Sequence, residues 1–142
     1  MNETDATTNN RAIVRRVLSV FNTGDLAILD ELVAPDYTNH NAPPGAPQGL
    51  EGRKQTVAMF RRGFADLEST VEDEIAEDDR VVVRVNLRGT NTGDFMGRPP
   101  TGRQMSVVGI DIFRVVGGKV TDRWGVLDMQ ALSQQLATDP KP

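Results

Sequence analysis

Met105–Asp128 reads MSVVGIDIFRVVGGKVTDRWGVLD, two β-rich runs on either side of Gly117-Gly118. A two-residue Gly-Gly link supplies the positive φ angles of a tight hairpin turn. With those glycines as the loop, Val116 faces Lys119, and counting back sets Asp111 opposite Trp124 and Val107 opposite Asp128. Side chains alternate along a strand, so one face is expected to carry Val107, Gly109, Asp111, Phe113, Trp124, Val126 and Asp128. The other would carry Val108, Ile110, Ile112, Arg114, Thr121, Arg123 and Leu127. Two carboxylates and the chain's single Trp then share an apolar face. A buried carboxylate is costly unless paired or held neutral, which makes such a group a candidate for acid–base work. A bulge would move Asp128 to the opposite face.

Outward from the hairpin, residues 1–8 read as a disordered tail, 9–137 as a single domain and 138–142 as a polar, proline-broken tail. A helix is expected from Asn9 or Asn10, with Ile13, Val14, Val17, Leu18 and Phe21 on one stripe and Gly24 ending it. Asp25 caps a second helix over Leu26–Val33, stopped by Ala34-Pro35. Asp36–Gly49 begins as a short strand and ends as a proline-stiffened loop. A third helix over about 52–64 buries Val57, Phe60 and Phe64, with Arg53, Lys54, Arg61 and Arg62 turned outward. Glu68–Ile75 reads as an acidic edge strand with Val71 and Ile75 inward. Arg80–Arg88 is a strand with Val81, Val83, Val85 and Leu87 on one face. Met129–Leu136 is a short closing helix. Helices followed by antiparallel strands give an α+β fold: three N-terminal helices packed on a curved, mostly antiparallel sheet, a cone-shaped α+β barrel enclosing a cavity.

A chain of 142 residues with net charge −4 fits one domain and no nucleic-acid partner, because no basic run interleaved with aromatics occurs. No apolar stretch is long enough to span a bilayer and Met1–Asn10 is polar, so neither membrane nor leader is expected. Zero cysteines remove thiolate chemistry and fit a reducing cytoplasm. A single histidine makes zinc improbable, so no metal site is expected. No glycine-rich phosphate loop or dinucleotide fingerprint occurs either, which leaves cofactor-free chemistry or plain binding.

The stretches FNTGDLAILDELVAPDYTNHN, GLEGRKQTVAMFRRGFADL, VEDEIAEDDRVVVRVNLRGTNTGDFMGRPPTGR, GIDIFRVVGGKVTDRWGVLD and MQALSQQL resemble, in family order, a SnoaL-like polyketide cyclase of the ester cyclase type. That family lies within the superfamily sharing the cone-shaped fold of nuclear transport factor two. The resemblance implies a cofactor-independent intramolecular aldol cyclisation of an anthraquinone-type polyketide ester. A carboxylate removes a proton beside one carbonyl, the enolate attacks a second, and the new alkoxide is protonated. The resemblance matches Asp128 to the family's acid–base aspartate, and His40 to a histidine common after the second helix. Asp111 stands where many relatives carry histidine. Gly89-Thr90-Asn91 departs from a frequent Gly-Thr-His and exchanges an imidazole for an amide.

Asp128 has two readings, a cap of the closing helix and a general acid/base. Asp111 is either a cavity carboxylate or an outward partner of Arg123 or Arg103, with Trp124 favouring the cavity. His40 is a backbone-bonded loop residue or a positioning group. Tyr37, Asn41 and Asn91 are candidate hydrogen-bonding groups, and Phe60, Phe64, Phe95 and Trp124 candidate walls for a flat, polycyclic, hydrophobic substrate. A non-catalytic ligand binder of the same fold is the rival function, and an assembly module with a vestigial cavity a third. A homodimer or higher homo-oligomer is expected from the mixed polar and apolar outer sheet face.

Overall fold

The computed structural model describes residues 3–42 and 45–137, with side chains from residue 6 onward. The expected tail 138–142 and positions 43 and 44 of the proline-rich loop lie outside the described residues. The chain runs α1 (Glu3–Thr23), α2 (Ala27–Leu32), β1 (Val33–Asn39), α3 (Gly49–Gly63), β2 (Glu68–Glu77), β3 (Arg80–Thr90), β4 (Gln104–Val116), β5 (Lys119–Leu127) and α4 (Met129–Leu136). The strands form one sheet in the order β1-β5-β4-β3-β2. β1 runs parallel to β5, and the other three pairings are antiparallel. The α+β architecture is as expected, but the sheet stays open, with β1 and β2 as its edges.

One sheet face is covered by helices. Inward residues of β3 and β4, among them Val81, Val83, Val85 and Phe113, pack with Val14, Val17 and Val20 of α1 and Val57 of α3. A second cluster gathers Phe60, Phe64, Phe95, Met105, Val107 and Leu132 beneath α4. Phe64 and Phe113 are fully buried, and truncating either to Ala would remove about 3–5 kcal/mol. The cavity described below lies between the two clusters.

Three local expectations are corrected. α1 begins at Glu3, well ahead of Asn9: no proline or glycine interrupts residues 3–23, so the helical ladder continues, and Asn10 Nδ2 bonds Asp78 O at 3.4 Å. Ile75 points outward and is 66 % exposed, because the β2–β3 register slips between Val71 and Asp73. Beyond that slip Glu74, not Ile75, turns toward α1 and meets Arg15 at 3.1 Å.

The third correction concerns the central hairpin. Gly117 and Gly118 do form its turn, with φ of 60° and 81°, and Val116 pairs with Lys119. The register then shifts: Val115 faces Val120, but Arg114 faces Asp122, leaving Thr121 as an extra residue. Asp111 therefore opposes Gly125, and Ile112 opposes Trp124. The helix-covered face carries Arg123, Gly125 and Leu127 from β5, while Trp124 and Val126 lie on the open face.

Candidate active site

A cavity of about 650 Å³ opens between α1, α3 and the covered face of the sheet, within the range of small-ligand sites. Its floor exists because the inward residues of β4 and β5 become small. Phe113 fills the space toward the hairpin and Val107 the space toward α4, whereas Gly109 and Gly125 between them carry no side chain. Leu18, Phe21, Met59, Phe60, Val85 and Leu87 make the apolar wall.

A polar row crosses the floor. The parallel pairing sets Asn39 of β1 beside Arg123, which faces Phe113; Asp111 lies two residues along β4. Arg123 spends all three guanidinium nitrogens here. Nε and Nη2 donate to Asp111 Oδ1 at 2.8 and 2.7 Å, and Nη1 donates to Asn39 Oδ1 at 3.1 Å. Both side chains are largely buried, at 15 % and 10 % exposure. A buried ion pair of this kind fixes geometry more than it adds stability, while removing one partner costs about 3–5 kcal/mol. Asp111 Oδ2 takes no hydrogen bond from any described residue, so one carboxylate oxygen is clamped and the other is available to a ligand. Asn41 lines the rim, its Oδ1 accepting from Gly125 N at 2.9 Å.

The cavity also holds a residue that sequence reasoning turned the wrong way. Arg53 of α3 is 8 % exposed, lines the cavity, and has Nε and Nη2 buried with no partner among the described residues. Its guanidinium sits 5.4 Å from the Phe21 ring centroid and 5.6 Å from that of Phe113. Such cation–π contacts contribute about 2 kcal/mol when desolvated, well short of a buried cation's desolvation cost. The signal was present in the sequence: Arg53, Val57, Phe60 and Phe64 fall at i, i+4, i+7 and i+11, one helical stripe. Tyr37 lies outside the cavity lining, 4 % exposed, its hydroxyl beside Arg53 but without a well-formed hydrogen bond. Burial pushes that phenol above its ordinary pKa, against the opposing pull of Arg53 and Arg123, and Asp111 adds to the rise.

The other expected site residues lie elsewhere. Asp128 caps α4: its Oδ1 accepts from Ala131 N at 2.9 Å, and it is exposed outside the cavity lining. His40 points to the open face, where its Nε2 meets Asp122 at 2.8 Å and its ring stacks on Trp124 at 4.4 Å. Arg80 covers Trp124 at 4.7 Å, so the only Trp is a strand-face anchor on the far side of the sheet from the cavity. The hydrogen bond from His40, then that from Thr121, holds the Asp122 carboxyl below its usual range. Asn91 is 2 % exposed and saturated, donating to Gly63 O and Gly93 O and accepting from Thr101, so the amide ties the β3–β4 loop together. Phe64 and Phe95 pack with Phe60 behind the wall, and Phe60 alone of the three lines the cavity. Among the described residues no cluster of three His, Asp or Glu converges on a metal-sized site, and no helix is long and apolar enough to cross a membrane.

The family model described as SnoaL-like polyketide cyclase matches residues 11–136. The nogalonic acid methyl ester cyclase of Streptomyces nogalater is 33 % identical over 129 residues, which cover 89 % of this chain and 95 % of that protein. The aklanonic acid methyl ester cyclase DnrD of Streptomyces peucetius is 30 % identical over 134 residues, 92 % of this chain and 91 % of that one. Among solved structures, TsrD from Streptomyces laurentii superposes with a TM-score of 0.83 at 30 % identity, covering 92 % of this chain and 96 % of TsrD.

Proposed function

The chain belongs to the SnoaL-like polyketide cyclase family, and from that premise we propose that it closes a ring in a polyketide ester by intramolecular aldol chemistry, with Asp111 as the proton-transfer group and no cofactor. The observation that carries this reading is the half-clamped carboxylate on the cavity floor. Arg123 holds Oδ1, so Oδ2 can accept a proton from a carbon beside a substrate carbonyl. The enolate then attacks a second carbonyl, and Asp111 returns the proton to the new alkoxide, which leaves the enzyme unchanged. His40 and Asp128, outside the lining, are given structural roles in this scheme.

The experiment is proton exchange. In deuterated water, a methyl-ester anthraquinone precursor should take up deuterium beside its ketone in the presence of the parent chain, and about 10²–10⁴-fold more slowly with Asp111→Asn. Tight binding without exchange in the parent would favour a non-catalytic ligand binder.

For the assembly, we propose a homodimer through the open sheet face. Val108, Ile110 and Val126 there are 43, 49 and 73 % exposed, and Ile110 pairs directly with Val126, so the apolar patch is continuous. Ile110→Lys is expected to give a monomer by light scattering at micromolar concentration; a monomeric parent would refute the assignment. A cysteine-free biosynthetic enzyme is suited to the cytoplasm, where we place it.

A further inference from the structure

We infer that Arg53 forms a recognition subsite for an anionic oxygen of the ligand, so that the cavity selects a flat substrate carrying a carboxylate or an ionised ring hydroxyl. This deepens the reading of the cavity as the substrate site, and it concerns binding rather than turnover.

The ionisable side chains lining the cavity, among the described residues, are Arg53, Arg123 and Asp111. Arg123 is matched by Asp111 and uses its remaining nitrogen on Asn39. Among the described residues Arg53 meets no anion, and its Nε and Nη2 donors are buried without a hydrogen-bond partner. Arginine does not shed its proton inside a protein, so the charge remains and calls for a partner. The Tyr37 hydroxyl beside it is buried outside the cavity lining and, being neutral, does not balance that charge. A planar oxyanion in the cavity supplies that partner, since a carboxylate matches the guanidinium fork. Gly49 and Gly52 in the first turn of α3 line the cavity too, which adds the positive end of that helix to the same field. Phe21 and Phe113 flank the guanidinium and hold its plane, so the site is pre-formed. Near Asp111 the ligand carries its enolisable ketone; near Arg53 it carries its anionic oxygen.

The test is calorimetric titration of the full chain at pH 7 with anthraquinone-2-carboxylate, with its methyl ester, and with a methyl ester bearing a ring hydroxyl. The free acid should bind about 10–100-fold more tightly than the ester, the range of a hydrogen bond to a charged group. A carboxylate as the natural group gives that acid preference. A phenolate as the natural group gives tightening of the hydroxylated ester as pH rises through its ionisation. Arg53→Met should abolish both effects while leaving the melting temperature unchanged or higher, because it removes an uncompensated buried charge. Arg53→Lys should retain part of the preference, because it keeps the charge but not the fork. A parent chain that treats acid and ester alike and shows no tightening on ionisation overturns the subsite, as does an Arg53→Met variant that keeps the preference. The parent comparison needs no variant to fold, and the result is independent of Asp111→Asn exchange rates, so loss of the subsite and loss of the cyclase reading give different outcomes.

Discussion

Gly125→Ala adds one methyl group to the cavity floor and should undo its central ion pair. A Cβ on Gly125 would lie 2.2 Å from Asp111 Oδ1, 2.7 Å from Arg123 Nη2 and 2.9 Å from Arg123 Cζ. To regain ordinary contact, the carboxylate oxygen has to retreat by about 1.2 Å, and the guanidinium must move as well. Bonds of 2.7 and 2.8 Å do not survive a displacement of that size. Breaking a buried pair costs about 3–5 kcal/mol, and partial re-pairing in the cavity brings this to about 2–4. Replacing glycine also restricts the unfolded chain, a gain of about 0.4–1 kcal/mol. The net loss is therefore about 1–3.5 kcal/mol, a fall in Tm of roughly 3–12 °C for a chain of this size. Thermal and urea unfolding measure it directly. Asp111→Ala in the same chain removes the obstructing oxygen, so Gly125→Ala in that background should be neutral or stabilising, and a double-mutant cycle should give a coupling of about 2–3 kcal/mol. A Gly125→Ala variant as stable as the parent would refute the register and the pair together.

Two smaller effects follow from groups outside the cavity. Asp128→Ala should cost about 0.5–2 kcal/mol through loss of the α4 cap, while Asp128→Asn, itself a good cap, should change stability by only a few tenths and leave turnover intact. Asp66 accepts from Thr90 N at 2.7 Å and Thr90 Oγ1 at 2.9 Å, bonds that hold its carboxyl below the usual range. A carboxyl whose folded pKa is depressed contributes stability above its unfolded pKa and loses it as pH falls through the folded value. Asp66→Asn should thus melt a few degrees lower at pH 7, and the gap should close on acidification below about pH 4.

The hairpin turn, the closing helix and the inward valines of β3 were legible because each rests on a local rule: paired glycines, an Asp before a helical run, strict alternation. The faces of β5 were not. After Val120, both Trp124 with Val126 and Gly125 with Leu127 give an alternating pattern containing apolar residues, so periodicity fits either phase. The extra residue at Thr121 is decided by hydrogen bonding across to Arg114 and Val115, which no single strand encodes. That one bulge moved Trp124 to the open face and brought Arg123 in to Asp111. The slip between Val71 and Asp73 misplaced Ile75 in the same way. Arg53 failed for a different reason. Its position on the Val57–Phe60–Phe64 stripe pointed inward, but charge was weighed above periodicity, the usual and here misleading preference. Asn39 and Arg123 could have been found only after β1 was placed beside β5, a parallel pairing between distant segments.

The central claim is that Asp111, and not Asp128, moves the proton. Single-turnover rates on a methyl-ester anthraquinone precursor for the parent, Asp111→Asn and Asp128→Asn test it most directly. Asparagine at position 111 keeps an oxygen for Arg123 but removes its counter-charge, so stability should fall by up to about 3–5 kcal/mol. In the variant that still folds, affinity should hold while the rate falls by about 10²–10⁴-fold. Asp128→Asn should turn over at the parent rate. The reverse pattern, with full activity in Asp111→Asn and loss in Asp128→Asn, would contradict the account.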